Sequence, residues 1–115
     1  MIGACRVELT LSGVDSLKAK RSIVRSVLDR TRAKFGVTAA EVEAMDEHTR
    51  AVLGFVVVSN ERAHAEGRLR AIHEFVEHTG LARVRQVKTE FTRVLEGRAT
   101  GGDVVADWSD FEADE

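Results

Sequence analysis

The chain has no proline and no tyrosine, and only one cysteine and one tryptophan, in 115 residues. A lone cysteine cannot close an internal disulfide, so no disulfide scaffold holds the fold and the composition suits a reducing compartment. Cys5 lies in an alternating apolar segment, where a thiol packs as a small core residue. No apolar run approaches the roughly 20 residues needed to cross a bilayer. Residues 1–12 also lack a basic stretch followed by a long apolar one. The expected compartment is therefore the cytoplasm, with no membrane partner. A proline-free chain of this size, 43% hydrophobic and 31% charged, reads as one soluble globular domain with no room for a second core.

The formal charge of −2 conceals an uneven distribution. Residues 1–96 carry a net charge of +3, whereas residues 97–115 carry −5 from Asp103, Asp107, Asp110, Glu112, Asp114 and Glu115 against Arg98 alone. A domain over residues 1–96 and an acidic, Gly-rich tail over residues 97–115 are expected. The tail reads either as a free solubilising segment or as one that docks through Val104, Val105, Trp108 and Phe111 and occludes a basic surface in cis. A pI near 6.1 argues against a dedicated nucleic-acid protein, since affinity for phosphates scales with cationic contacts, but it leaves room for a local basic patch.

Residues 4–11 alternate, with Cys5, Val7, Leu9 and Leu11 on one face and Arg6, Glu8 and Thr10 on the other, as in a half-buried strand. Ser12-Gly13 breaks it, Asp15-Ser16 signals a helix start, and the helix runs from Ser16 to Phe35 and stops at Gly36. Residues 37–45 alternate again; Ala40, Val42 and Ala44 are expected inward, Glu41 and Glu43 outward. After a turn at Asp46 to Thr49, Arg50 to Ser59 is a central strand in which Gly54 implies close packing or a bend. Ser59 or Asn60 caps a second helix with Glu61 in its first turn; Ala65, Leu69, Ile72 and Val76 form its apolar face, and Gly80 ends it. In residues 81–96, Val84, Val87, Phe91 and Val94 do not share one parity, which predicts a bulge or twist.

The resulting order, βαββαβ, predicts a ferredoxin-like α+β fold: a four-stranded antiparallel sheet with two helices on one face. The other face is expected to show Arg6, Glu8, Glu41 and Glu43, with Phe55 and Val57 adding apolar area. It is too polar for a large dry interface, so a homodimer would be weak or edge-mediated.

The first helix carries the strongest functional signal. At about 100° per residue, Lys18, Arg21, Arg25 and Arg32 fall within roughly 60° of arc beside the apolar stripe of Leu17, Val24, Leu28, Thr31 and Phe35. Asp29 is the only acid between Ser16 and Phe35 against seven basic residues, whereas solvated helices usually mix signs. Lys18, Lys20, Arg21, Arg25 and Arg32 are the expected phosphate contacts. With no tyrosine, the tryptophan in the tail and no GXXG in the body, any RNA would be read by shape and phosphate rather than by base.

Ser16-Leu17-Lys18-Ala19-Lys20-Arg21, Ala40-Glu41-Val42, Arg50-Ala51-Val52-Leu53-Gly54 and Val58-Ser59-Asn60 with His64 together resemble the YlxP-like family of small bacterial proteins of unknown function, over residues 1–96. The resemblance implies a ferredoxin-like fold. The family is often encoded near translation and ribosome-maturation factors and has been compared with ribosome-binding factor A, which implies a ribosomal subunit or structured RNA as partner. Relatives often carry a tryptophan ahead of the third strand, where this chain has His48-Thr49, and usually end near residue 96.

Other chemistry is poorly supported. Asp46, Glu47 and His48 share a turn, and His64, His73 and His78 lie on the second helix, but His73 and His78 diverge by about 140° and no Cys-x-x-Cys pair exists, so no metal or cofactor is expected. Ser59, Asn60 and His64 read as a helix cap with a nearby imidazole rather than as a triad. The phosphate-cradling loop of acylphosphatases, which share this element order, is replaced by Ser12-Gly13-Val14-Asp15-Ser16, with one glycine and an acid that repels phosphate. The expectation is a non-enzymatic ribosome- or RNA-associated accessory protein. The alternatives are a protein-interaction or dimerisation module without nucleic-acid binding and, third, a small-molecule-binding regulatory domain.

Overall fold

The computed structural model describes residues 1–93. Six elements follow in order: β1 (Ile2–Thr10), α1 (Leu17–Phe35), β2 (Thr38–Glu43), β3 (Arg50–Val58), α2 (Arg62–His78) and β4 (Arg83–Thr92). The strands form one antiparallel sheet in the order β2-β3-β1-β4. Its core face, made by Cys5, Val7 and Leu9 of β1 and Ala51, Leu53, Phe55 and Val57 of β3, packs against Val24, Val27 and Leu28 of α1 and Ala65, Leu69, Ile72 and Val76 of α2. Burial of each large aliphatic side chain contributes about 1.5–3 kcal/mol and is the main stabilising term. This is the expected ferredoxin-like βαββαβ arrangement.

Local signals place the elements. Ser16 Oγ accepts the Ala19 N–H at 3.1 Å, satisfying a donor in the first turn of α1. Gly36 closes the helix at φ 63°, a left-handed conformation that a Cβ disfavours, and its N–H donates to Arg32 O at 2.8 Å. The second helix begins slightly later than a Ser59 or Asn60 cap predicts: Glu61 is the N-cap without a side-chain bond, while Ser59 Oγ accepts the Glu61 N–H at 3.2 Å. In β4, Gln86 lies opposite Glu8 but Val84 opposite Leu9, leaving Arg85 as the extra residue of a bulge. That insertion keeps Val84, Val87 and Phe91 on the helix side, as their broken parity requires. Val94, the end of the expected last strand and the acidic tail at residues 97–115, with its expected docking, lie outside the described residues.

The second strand reverses the expected phase at Ala40, Glu41 and Val42, while Glu43 faces outward as expected. Ala39 pairs with Phe55 and Glu41 with Leu53, both core residues, so Glu41 faces the helices, while Ala40 lies opposite Gly54 on the open face. A bulge between Glu41 and Glu43 returns Glu43 to the open face opposite Val52. Phe55 and Val57 are buried under the helices rather than on the open face. The apolar area there comes instead from Val42, Val56 and Val58, which are 46%, 39% and 61% exposed. The physical reason is that Val37 and Ala39 enter the core and Glu41 meets a buried cation, which outweighs the tendency of a charged residue to face water.

The two strand glycines differ in their surroundings. A Cβ at Gly3 would lie 3.0 Å from Phe91 Cε1 and 3.2 Å from Leu69 Cδ1, inside the packed layer. At Gly54 it would meet only the exposed Val42 side chain, Cγ1 at 3.1 Å and Cγ2 at 3.8 Å. Gly3→Ala is therefore expected to cost about 1–3 kcal/mol by overpacking. In Gly54→Ala, a small shift of Val42 and the lower chain entropy of alanine offset each other to within about 0.5 kcal/mol. Urea denaturation of the two variants tests the difference.

Candidate nucleic-acid interface

The winding of α1 sorts its cations into two environments. Lys20, Val24, Val27, Leu28 and Thr31 form its buried stripe, and Thr31 satisfies its hydroxyl by donating to Val27 O at 2.8 Å. Lys18, Arg21, Arg25 and Arg32 are exposed. Arg21, Arg25 and Arg32 share a groove of about 280 Å³ between α1 and β2, with Val24 and Leu28 on its wall and Glu41 at its side. Arg32 is held there: Nη2 donates to Ala39 O, and Nη1 lies 3.3 Å from Asp29 Oδ1. Lys18, Arg21 and Arg25 form no ion pair among the described residues.

Lys20 does not belong to this surface. Its side chain is fully buried, with Nζ donating to Ala44 O and lying 2.8 Å from Glu41 Oε2. The ammonium thus meets one carboxylate oxygen and one backbone carbonyl inside the fold. Ala44 adopts φ 62°, a left-handed conformation unusual for a residue with a Cβ, just beyond the end of β2. Its position around the helix reveals Lys20 in advance. At about 100° per residue it lies some 60° from Leu17 on the side opposite the basic edge, next to Thr31. A phosphate contact from Lys20 is therefore ruled out by its burial.

The open sheet face carries a second charged network. Arg6 bonds Glu43 in a fork, Nε to Oε1 at 2.8 Å and Nη2 to Oε2 at 3.0 Å. These hydrogen bonds hold the Glu43 carboxyl below the usual carboxylate range. Glu8 gathers Arg50 Nε at 3.1 Å, with Arg6 and Arg85 each at 3.9 Å. These cations are neutralised in place, unlike Lys18, Arg21 and Arg25 of α1.

Among the described residues no group of three or more His, Cys, Asp or Glu is placed to hold a metal ion. Ser59 Oγ lies 3.0 Å from His64 Nδ1, so the two residues meet as a pair, but the same hydroxyl already accepts the Glu61 N–H at the helix entry. No acidic side chain among the described residues bonds the His64 ring. Burial pushes the Cys5 thiol up to about 11, which keeps it protonated.

Loss of the buried cation should be costly. Lys20→Met leaves Glu41 facing the helix layer unpaired and is expected to destabilise by about 3–5 kcal/mol, with most of that regained in Lys20→Met/Glu41→Leu. Arg21→Ala, one residue on, should stay within about 0.5 kcal/mol. Chemical denaturation distinguishes these cases. Cys5 should resist iodoacetamide at pH 8 in the native protein and react once urea unfolds it; rapid native labelling would show that the strand opens locally.

Among known proteins, the chain is 31% identical over 77 residues to the uncharacterized protein YlxP of Bacillus subtilis (strain 168), covering 67% of this chain and 84% of the relative. Solved structures share the fold at low identity. A de novo designed protein with a ferredoxin fold matches with a TM-score of 0.54 and 13% identity, covering 88% of this chain and 93% of the other. A candidate antibiotic biosynthesis monooxygenase from Chloroflexus aurantiacus J-10-fl matches with a TM-score of 0.51 and 10% identity, covering 88% and 100%. Residues 2–89 match the family model described as a protein of unknown function (DUF503), and the chain belongs to that family.

Proposed function

We propose that the protein is a non-enzymatic RNA-binding accessory factor that grips the phosphate backbone of structured RNA, such as that of a ribosomal subunit, through the exposed edge of α1. The observation that carries this reading is the contrast in charge pairing. Lys18, Arg21 and Arg25 point outward from one helix edge without an ion pair among the described residues, whereas Arg6, Arg50 and Arg62 are each tied to a carboxylate. Unpaired guanidinium groups one helical turn apart can form forked bonds to successive phosphate oxygens without first breaking an internal pair. Arg32, already bonded to Ala39 O, stiffens the far end of the groove and offers its remaining donors.

Such contacts position without reading sequence. Engaging three or four phosphates gives modest affinity, with a slope of log K against log salt of about −2 to −3.5. Arg21→Glu/Arg25→Glu is expected to keep its circular dichroism and melting curve, since both residues lie off the buried stripe. It should lose sedimentation with ribosomal subunits at low salt. Arg30→Glu/Arg70→Glu changes net charge equally at exposed sites outside the groove and should bind nearly as well. Equal loss in both double variants, or none in either, would falsify the assignment to this edge.

A further inference from the structure

The sheet ends in two unlike edges. The β2 edge is short, at six residues, is broken by the bulge before Glu43, has its Ala39 carbonyl covered by Arg32 and bears only acidic charges, Glu41 and Glu43. These are the devices that discourage strand addition. The β4 edge is ten residues long and lies last in the sheet order. Near its start Glu77 Oε2 accepts the Val84 N–H at 3.1 Å, the one side-chain bond to its backbone among the described residues. Past the Arg85 bulge, β4 pairs among the described residues on one side only, with β1.

We propose that β4 is an interface between two copies of this chain, pairing antiparallel with itself about a two-fold axis through Thr89. The side-chain order selects this partner and this register. Val87, Thr89 and Phe91 lie opposite Val7, Cys5 and Gly3 on the helix side, while Lys88 and Glu90 lie opposite Arg6 and Ala4 on the open side. Antiparallel pairing must keep like faces together, so the register can shift only in steps that preserve them. With Thr89 on the axis, Lys88 of each copy stands opposite Glu90 of the other, and Val87 opposite Phe91, each pair occurring twice. Centring the axis on Lys88 or on Glu90 instead places like charges directly opposite, which is destabilising. Neither Lys88 nor Glu90 has an ion pair among the described residues, so both are free to make these.

The helix side of this edge is also prepared. A groove of about 320 Å³ between α2 and β4 is lined by Leu69, Val87 and Phe91 together with Arg62, Glu66 and His73. Arg62 stacks 4.7 Å from the Phe91 ring centroid, holding the ring where a second strand would cover it. The joined sheet has eight strands, with the α1 edges at its two outer ends, so the pairing does not depend on the RNA reading above.

Sedimentation velocity of the full chain from about 1 μM to 1 mM should show a concentration-dependent monomer–dimer equilibrium, as befits a small edge interface. Lys88→Glu and Glu90→Lys should each weaken the dimer about tenfold or more by creating two like-charge pairs, and the swap Lys88→Glu/Glu90→Lys should restore it. Thr89→Cys should oxidise to a covalent dimer, because directly opposed strand residues have Cα atoms about 4.5–5.5 Å apart, within disulfide range. Cys5, being buried, should not compete. A chain that stays monomeric throughout leaves the edge to some other occupant and overturns the proposal. So do charge variants that all associate alike, or a Thr89→Cys protein that does not cross-link while remaining folded by circular dichroism.

Discussion

The buried ammonium of Lys20 connects the helix layer to the edge of the sheet, and the placement of the candidate interface follows from it. One side chain joins α1 to the Glu41 carboxylate inside β2 and to the Ala44 carbonyl just past the strand's end. Removing these charges from water costs several kcal/mol per ion, and their attraction offsets this only when further hydrogen bonds are made, which the Ala44 carbonyl supplies. The pair is thus a weak source of net stability and a strong source of specificity. It turns Glu41 inward, sets the phase of β2 and requires the left-handed turn at Ala44 that leads toward β3. With β2 held in that phase, Arg32 reaches the Ala39 carbonyl and the groove below Arg21 and Arg25 has a fixed wall.

The open face follows a different rule. There Glu8 collects Arg6, Arg50 and Arg85, and Arg6 turns to Glu43, so the charged side chains form a lattice over the buried Val52. Next to it, Val42, Gly54 and Val56 leave an apolar hollow of about 520 Å³ beside Lys88 and Glu90. The face is therefore divided between a neutralised polar lattice and a small apolar strip. Neither resembles the broad dry surface of an obligate face-to-face dimer.

Most of the fold was legible because its local signals agreed. The parity of Cys5, Val7, Leu9 and Leu11, the Ser16 and Gly36 caps and the 65, 69, 72, 76 stripe of α2 each had one reading, and the broken parity of β4 required a bulge or a twist, of which the bulge is found. The facing of Ala40, Glu41 and Val42 was misread for a specific reason. Alanine and valine alternate there with glutamate, and a binary pattern assigns the charges to water unless a buried counter-charge is known. That counter-charge was visible on the helix, where Lys20 shares the stripe of Val24, Val27 and Thr31, yet only the three-dimensional pairing links the two facts. Phe55 and Val57 were misplaced because β3 is apolar at nearly every position, so its own alternation does not separate one face from the other.

The electrostatic character of this domain is decided by pairing rather than by totals. Coulombic effects of exposed charges fade within about 8–10 Å at physiological ionic strength, so an approaching polyanion senses the nearest few groups and little of the net charge of −2. On the open face each arginine in the lattice arrives with its carboxylate, and the field outside is small. Along α1 the acids are missing, since Asp29 alone faces seven cations and is engaged by Arg32, while Glu41 is drawn inward by Lys20. The inward cation thereby turns an acid toward the helix layer, and the exposed neighbours Arg21 and Arg25 gain from it. A basic surface on a mildly acidic protein arises here from where the carboxylates are spent, and one buried lysine determines part of that distribution.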